Sequence, residues 1–365
     1  MLINILKLLY YRWYQLIKEY QLNDSNWWTP EMERVSEKRL KKILKNLKYS
    51  PSLLAVSNLN KKRLERKKIA VFPLGVEESN DYIKNLITAN EPFSIIRTGN
   101  QGGEITSTYN MIRNENISQK TLNALEINAG IYGLEDKKKL SKFCELYDDS
   151  IKNCNAIISW ENKHDNYFSK IYTLKNLQRG CGMILNYFEA NICCESDLFT
   201  LQNPWTLNLY GKKVLLISPF TESIKNQLNN GFRFSNKHLF SKGQDFLFYK
   251  SFNTIAGNRL HSNWEETFNI MCGEISKMKF DIALLGCGGY GLPLCEFIRK
   301  DLNKGAIYIG GQLQLFFGIT GRRWALEKKF KERMDFNIDN FGDFKYVMDS
   351  EKVNNYKQVE NGCYF

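Results

Sequence analysis

Ile282-Ala283-Leu284-Leu285-Gly286-Cys287-Gly288-Gly289-Tyr290-Gly291 is a short apolar run that empties into a Gly-x-Gly-x-x-Gly turn, and Leu292 to Lys300 behind it carries a helical pattern. Four apolar residues stopped by glycine read as a buried strand, so the whole is a strand, a tight turn and a helix, the unit from which α/β domains are built. Glycines let the backbone bend sharply and approach a ligand closely, while the positive end of the following helix favours an anion. Gly286, Gly288, Gly289 and Gly291 are therefore candidate diphosphate contacts. The plainer alternative is that they serve only close packing between strand and helix.

A second strand pattern, Ala306–Ile309, runs into Gly310-Gly311-Gln312 and then Gly318-Ile319-Thr320-Gly321-Arg322-Arg323-Trp324. Parallel neighbours end on the same edge of a sheet, so both glycine turns are expected to face one crevice. Gly310, Gly311 and Gln312 join the candidate diphosphate site. Arg322 and Arg323 are expected to hold phosphate oxygens through paired donors, with Trp324 covering a base or sugar ring. No acidic residue follows Ala306–Ile309 and the fingerprint lies late in the chain, which disfavours a nicotinamide dehydrogenase.

The third stretch is Phe93-Ser94-Ile95-Ile96-Arg97-Thr98-Gly99-Asn100-Gln101-Gly102-Gly103-Glu104. A strand that ends in an arginine and enters a glycine turn with one carboxylate needs partners or tasks for both charges. Arg97 and Glu104 are candidate catalytic residues, Gly99, Asn100, Gly102 and Gly103 candidate donor contacts, and Glu104 a candidate ligand for a divalent cation or a base toward a hydroxyl. Asn128-Ala129-Gly130 and Ser159-Trp160-Glu161-Asn162 are weaker candidates for the same crevice. His261-Ser262-Asn263-Trp264-Glu265-Glu266 reads better as the start of a helix than as a site.

Further strand patterns at 156–160 and 214–218, with helical spacing between, predict an α/β fold of two Rossmann-like halves with mainly parallel sheets. A basic helical N-terminal region precedes them. The expected divisions are residues 1–70, 71–200, 201–325 and a C-terminal tail, 326–365.

The composition of the 365 residues, 43% hydrophobic and 25% charged, excludes a disordered or low-complexity chain. Of the formal +12, almost all sits in residues 1–70, which hold 16 Lys and Arg against 6 Asp and Glu. Such asymmetry predicts a polyanionic partner, either an anionic membrane surface or nucleic acid. Met1–Tyr20 has the amphipathic pattern of an interfacial helix and lacks the marks of a signal peptide. Nine scattered cysteines without Cys-x-x-Cys, and three separated histidines, argue against a disulfide framework and a zinc site. No Walker loop or Gly-x-Ser-x-Gly elbow occurs.

Phe93 to Glu104 resembles the Arg-x-Gly-Asp-Gly-Glu turn of bacterial glycosyltransferases with the GT-D fold, and the later glycine turn resembles their second conserved region. Arg97, Gly99, Gly103 and Glu104 match; two residues are inserted and Gly102 stands where that family has its aspartate. The resemblance implies a transferase that takes a nucleotide-sugar donor, with a divalent cation, Mn or Mg, at Glu104. It implies further a surface-polysaccharide or lipid-linked glycan acceptor and a cytoplasmic location peripheral to the inner membrane face. Two other readings stand beside it: a surface-glycan-modifying transferase with a different activated donor, and a nucleic-acid-binding protein that works through its basic N-terminal region.

Overall fold

The computed structural model describes residues 76–98, 103–112, 114–158, 183–185, 201, 203–232, 239–326 and 344–365. The chain divides into two compact units, 1–62 and 63–365, and the described residues all belong to the second. The expected N-terminal helices, residues 99–102 and 159–162 lie outside the described residues.

Seven strands form one parallel sheet: β1 (Phe93–Arg97), β2 (Ala156–Ile158), β3 (Met183–Leu185), β4 (Lys213–Ser218), β5 (Asp245–Lys250), β6 (Ile282–Leu285) and β7 (Gly305–Tyr308). Their order across the sheet is β3-β2-β1-β7-β6-β4-β5. Strands from before and after residue 200 thus share a single sheet, joined where Ile95 pairs with Ile307. The expected boundary near residue 200 falls in the crossover between β3 and β4, and β1 and β7 pair across it within the one sheet.

Both faces of the sheet are covered, which is why its strands read as continuous apolar runs. Phe93, Ile95, Val214, Leu216, Leu284 and Ile307 point into one core, with Trp205 and Trp324. Ile96, Leu215, Ile217, Ala283, Leu285 and Ala306 point into the other, with Phe143 and Trp264. The helices are α1 (Val76–Ala89), α2 (Glu104–Ile112), α3 (Gln119–Ala124), α4 (Lys137–Asn153), α5 (Thr221–Asn229), α6 (Trp264–Ile275), α7 (Gly291–Lys300) and α8 (Arg322–Leu326). A π-helical turn, Leu125–Ala129, continues α3. The stretch around His261 is indeed a helix start: the Asn263 side chain accepts from the backbone N–H of Glu265 and Glu266, and Glu266 accepts from that of Ser262.

The described part of the C-terminal tail wraps back over the sheet. Ile319–Thr320 (β8) pairs with Lys345–Tyr346 (β9). Glu351 then accepts from the N–H groups of Glu222 and Ser223 and from the Ser223 hydroxyl, capping the start of α5. Among the described residues, no helix is long and apolar enough to cross a membrane.

Candidate functional site

Parallel strands bring the loops after β1, β4, β5, β6 and β7 to one edge. At its centre Arg97, the last residue of β1, reaches across to the turn after β7. Its Nη1 donates to the Ile309 carbonyl at 2.8 Å and to Gln312 Oε1 at 2.7 Å. Gly310 has φ 75°, and a Cβ there would lie 3.1 Å from the Arg97 guanidinium, so glycine lets the turn fold over the arginine. Three expected site residues, Arg97, Gly310 and Gln312, are therefore one unit.

The two glycine turns do meet. A Cβ at Gly286 would lie 2.7 Å from the Gly310 carbonyl oxygen, and one at Gly289 would lie 2.6 Å from Ile131. At Gly291 the ring of Tyr308 fills the same space, and at Gly311 the ring of Tyr364 does. The room left by each of these missing side chains is taken by protein, so the packing role of these glycines is plain in the geometry. The Tyr308 hydroxyl donates to the Gly288 carbonyl at 2.9 Å, tying β7 to the turn that starts α7.

Glu104 is the first residue of α2 and only 6% exposed. Gly103 before it has φ 85°, and a Cβ there would sit 2.9 Å from the Thr121 carbonyl oxygen, so close approach of α3 requires glycine. One carboxylate oxygen of Glu104, Oε2, is buried and has no hydrogen-bond partner. Burial raises the Glu104 pKa, and the residue's own backbone N–H offsets this only in part. Burial holds the Tyr308 pKa well above its ordinary value, with smaller upward contributions from Cys287 and Glu104, while Arg97 acts on the same hydroxyl in the opposite sense.

A cleft opens beside this cluster. Its walls come from Phe220 after β4, Asn253 and Thr254 after β5, Gly286 to Gly288 after β6 and Gly311 after β7, closed by Asn128 and Tyr364. It encloses about 70 Å³, room for a few waters; a nucleotide seated there has to displace a wall. Asn253 Nδ2 is buried without a partner, a donor awaiting an oxygen. The Cys287 thiol also lines the cleft, but burial raises its pKa, which keeps it protonated and a poor nucleophile.

Asn128 and Ala129 line the cleft as the sequence suggested. Gly99, Asn100 and Gly102 lie outside the described residues. Arg322 and Arg323 are not among the cleft's lining residues: Arg323 pairs with Glu360 and lies over the Tyr364 ring, and Arg322 Nη1 donates to the Asn361 carbonyl. Trp324 is 1% exposed and packs against Tyr364. Tyr364 is among the aromatic residues that line the cleft, with Phe220, Phe252, Tyr290 and Tyr308, and Trp324 is not. Asn253 and Tyr364 went unread in the sequence; the first follows an edge strand with no clear pattern, the second comes from the returning tail.

Among the described residues no three His, Cys, Asp or Glu side chains gather as a metal cage. Glu104, not among the cleft's lining residues, has one unpartnered carboxylate oxygen of the kind a divalent cation takes as a ligand.

Residues 74–316 match the model of the GT-D-like family, described as a GT-D fold-like domain. No curated protein matches the sequence.

Proposed function

The chain belongs to the GT-D-like family, and we propose that it moves a sugar from a nucleotide-sugar donor to a surface-polysaccharide or lipid-linked glycan acceptor. A transferase of glycosyl groups is what the fold supports in general terms; donor and acceptor are our reading. The observation that carries it is the buried, unpartnered carboxylate oxygen of Glu104, at the start of α2 and within electrostatic reach of Tyr308 at the end of β7. An uncompensated buried carboxyl costs stability, and a bound ligand that satisfies it would recover that cost.

In the reaction, the acceptor oxygen forms a bond to the anomeric carbon as the bond from that carbon to phosphate breaks. The electron pair departs with the nucleoside diphosphate, and the acceptor's proton passes to a base. Arg97 supplies fixed positive charge near the departing diphosphate, and the start of α7 supplies a helix N-terminus on the same edge. Asn253 donates to a donor oxygen and Tyr364 stacks against a ring after its side chain swings from Gly311. Glu104 either accepts the proton or holds a divalent cation, Mn or Mg, which when bound neutralises diphosphate charge. The excess of cations in residues 1–70 supports attachment to an anionic membrane surface, where a lipid-linked acceptor would be met.

A thermal-shift panel of nucleoside diphosphates and nucleotide sugars, with and without Mn, tests this reading. One nucleotide class is expected to raise Tm through mass action, further with Mn, and Glu104→Ala to abolish the Mn-dependent part. A panel in which no nucleotide raises Tm overturns it.

A further inference from the structure

A second cavity, of about 760 Å³, lies between the end of α2, α3, the π-helical turn and α4. Its floor is aliphatic, with Ile117, Leu122 and Leu134, and its rim carries the carboxamides of Asn114, Asn116, Gln119 and Asn123. Carboxamides both donate and accept, which suits hydroxyl groups, while an aliphatic floor suits the C–H face of a sugar ring. Three carboxylates, Glu115, Glu126 and Glu135, face it against the single cation Lys137 among its described lining residues. Arg259 is held by two of them, at 2.8 Å from Glu126 and 3.3 Å from Glu135. With Arg259 and Lys137 already set against these carboxylates, the described lining carries no excess of cations to hold a phosphate, so the groove does not duplicate the donor site.

The groove and the cleft share a wall. Glu126 faces the groove and Asn128 the cleft, from one π-helical turn. That turn is clamped to the segment after β5: the Ala256 N–H donates to the Ile127 carbonyl at 2.8 Å, and the Thr254 hydroxyl to the Gly130 carbonyl at 2.7 Å. Ile131, which lines the groove, also packs on Gly289 of the turn before α7. A π-turn inserted between two cavities is a common mark of a working site.

The geometry points to an uncharged oligosaccharide as the occupant of this groove, the body of the acceptor held one helical turn from the donor cleft. This rests on the glycosyltransferase reading for its role, but not for the binding itself. The test is an array of uncharged and of sulfated or sialylated oligosaccharides, probed with the full chain, with Asn123→Trp and with Ser141→Trp, which fill the groove from opposite walls. Retention of uncharged glycans by the wild type is expected, with at least a tenfold loss in both variants and an unchanged nucleotide-induced Tm shift. Retention of anionic glycans only, of none, or equal retention by the variants overturns the proposal. Glycan binding without any nucleotide shift would instead count against the transferase reading and leave the groove standing.

Discussion

Glu104 shows how a residue of the proposed site can be costly to the fold. Its raised pKa means that its contribution to stability is present below the ordinary carboxylate pKa and is lost as pH rises through the folded value. Glu104→Gln keeps the shape and removes the charge. In buffer with chelator the variant is expected to unfold at a higher temperature than wild type at pH 8, and the two to converge near pH 4. A gap that does not change with pH would show that the carboxyl is not held in its neutral form by burial. Arg97, Gly103 and Glu104 were legible because a strand ending in charge and glycine is conspicuous. Asn253 and Tyr364 were not, since each gains its meaning only from neighbours distant in sequence.

At the scale of elements, the strand patterns buried on both faces were the readable ones. β1 and β6 lie where the sequence predicts them, and β7 begins one residue earlier, at Gly305. β5 escaped because Asp245–Lys250 is an edge strand, charged at both ends and only half-buried through its middle. β3 is only three residues long. The fastening of the tail is hidden in the sequence: Glu351 sits as a fixed anion at the N-terminus of α5, where helix polarity and three hydrogen bonds hold it. Glu351→Ala is expected to lower unfolding stability by about 2 kcal/mol in urea titrations, through lost charged hydrogen bonds and an uncapped helix. A change below a few tenths would mean that water replaces the carboxylate without cost.

Across the whole molecule, one parallel sheet explains why stretches more than 200 residues apart in sequence end beside one another. Pairing of β1 with β7 sets Arg97 against the turn at Ile309–Gln312, and pairing of β7 with β6 sets that turn against Gly286. The sequence alone marked each turn and predicted a shared edge, but not that the glycines there are largely filled by Tyr308, Ile131 and Tyr364. The remaining opening is small, so a nucleotide bound as proposed requires the walls to rearrange. Hydrogen–deuterium exchange of the full chain, with and without the nucleoside diphosphate that most raises Tm, reads this directly. Slower exchange is predicted together in three segments, 94–105, 284–292 and 306–314. Protection confined to other parts of the chain, or absent at saturating nucleotide, would contradict the assignment of this edge as the donor site.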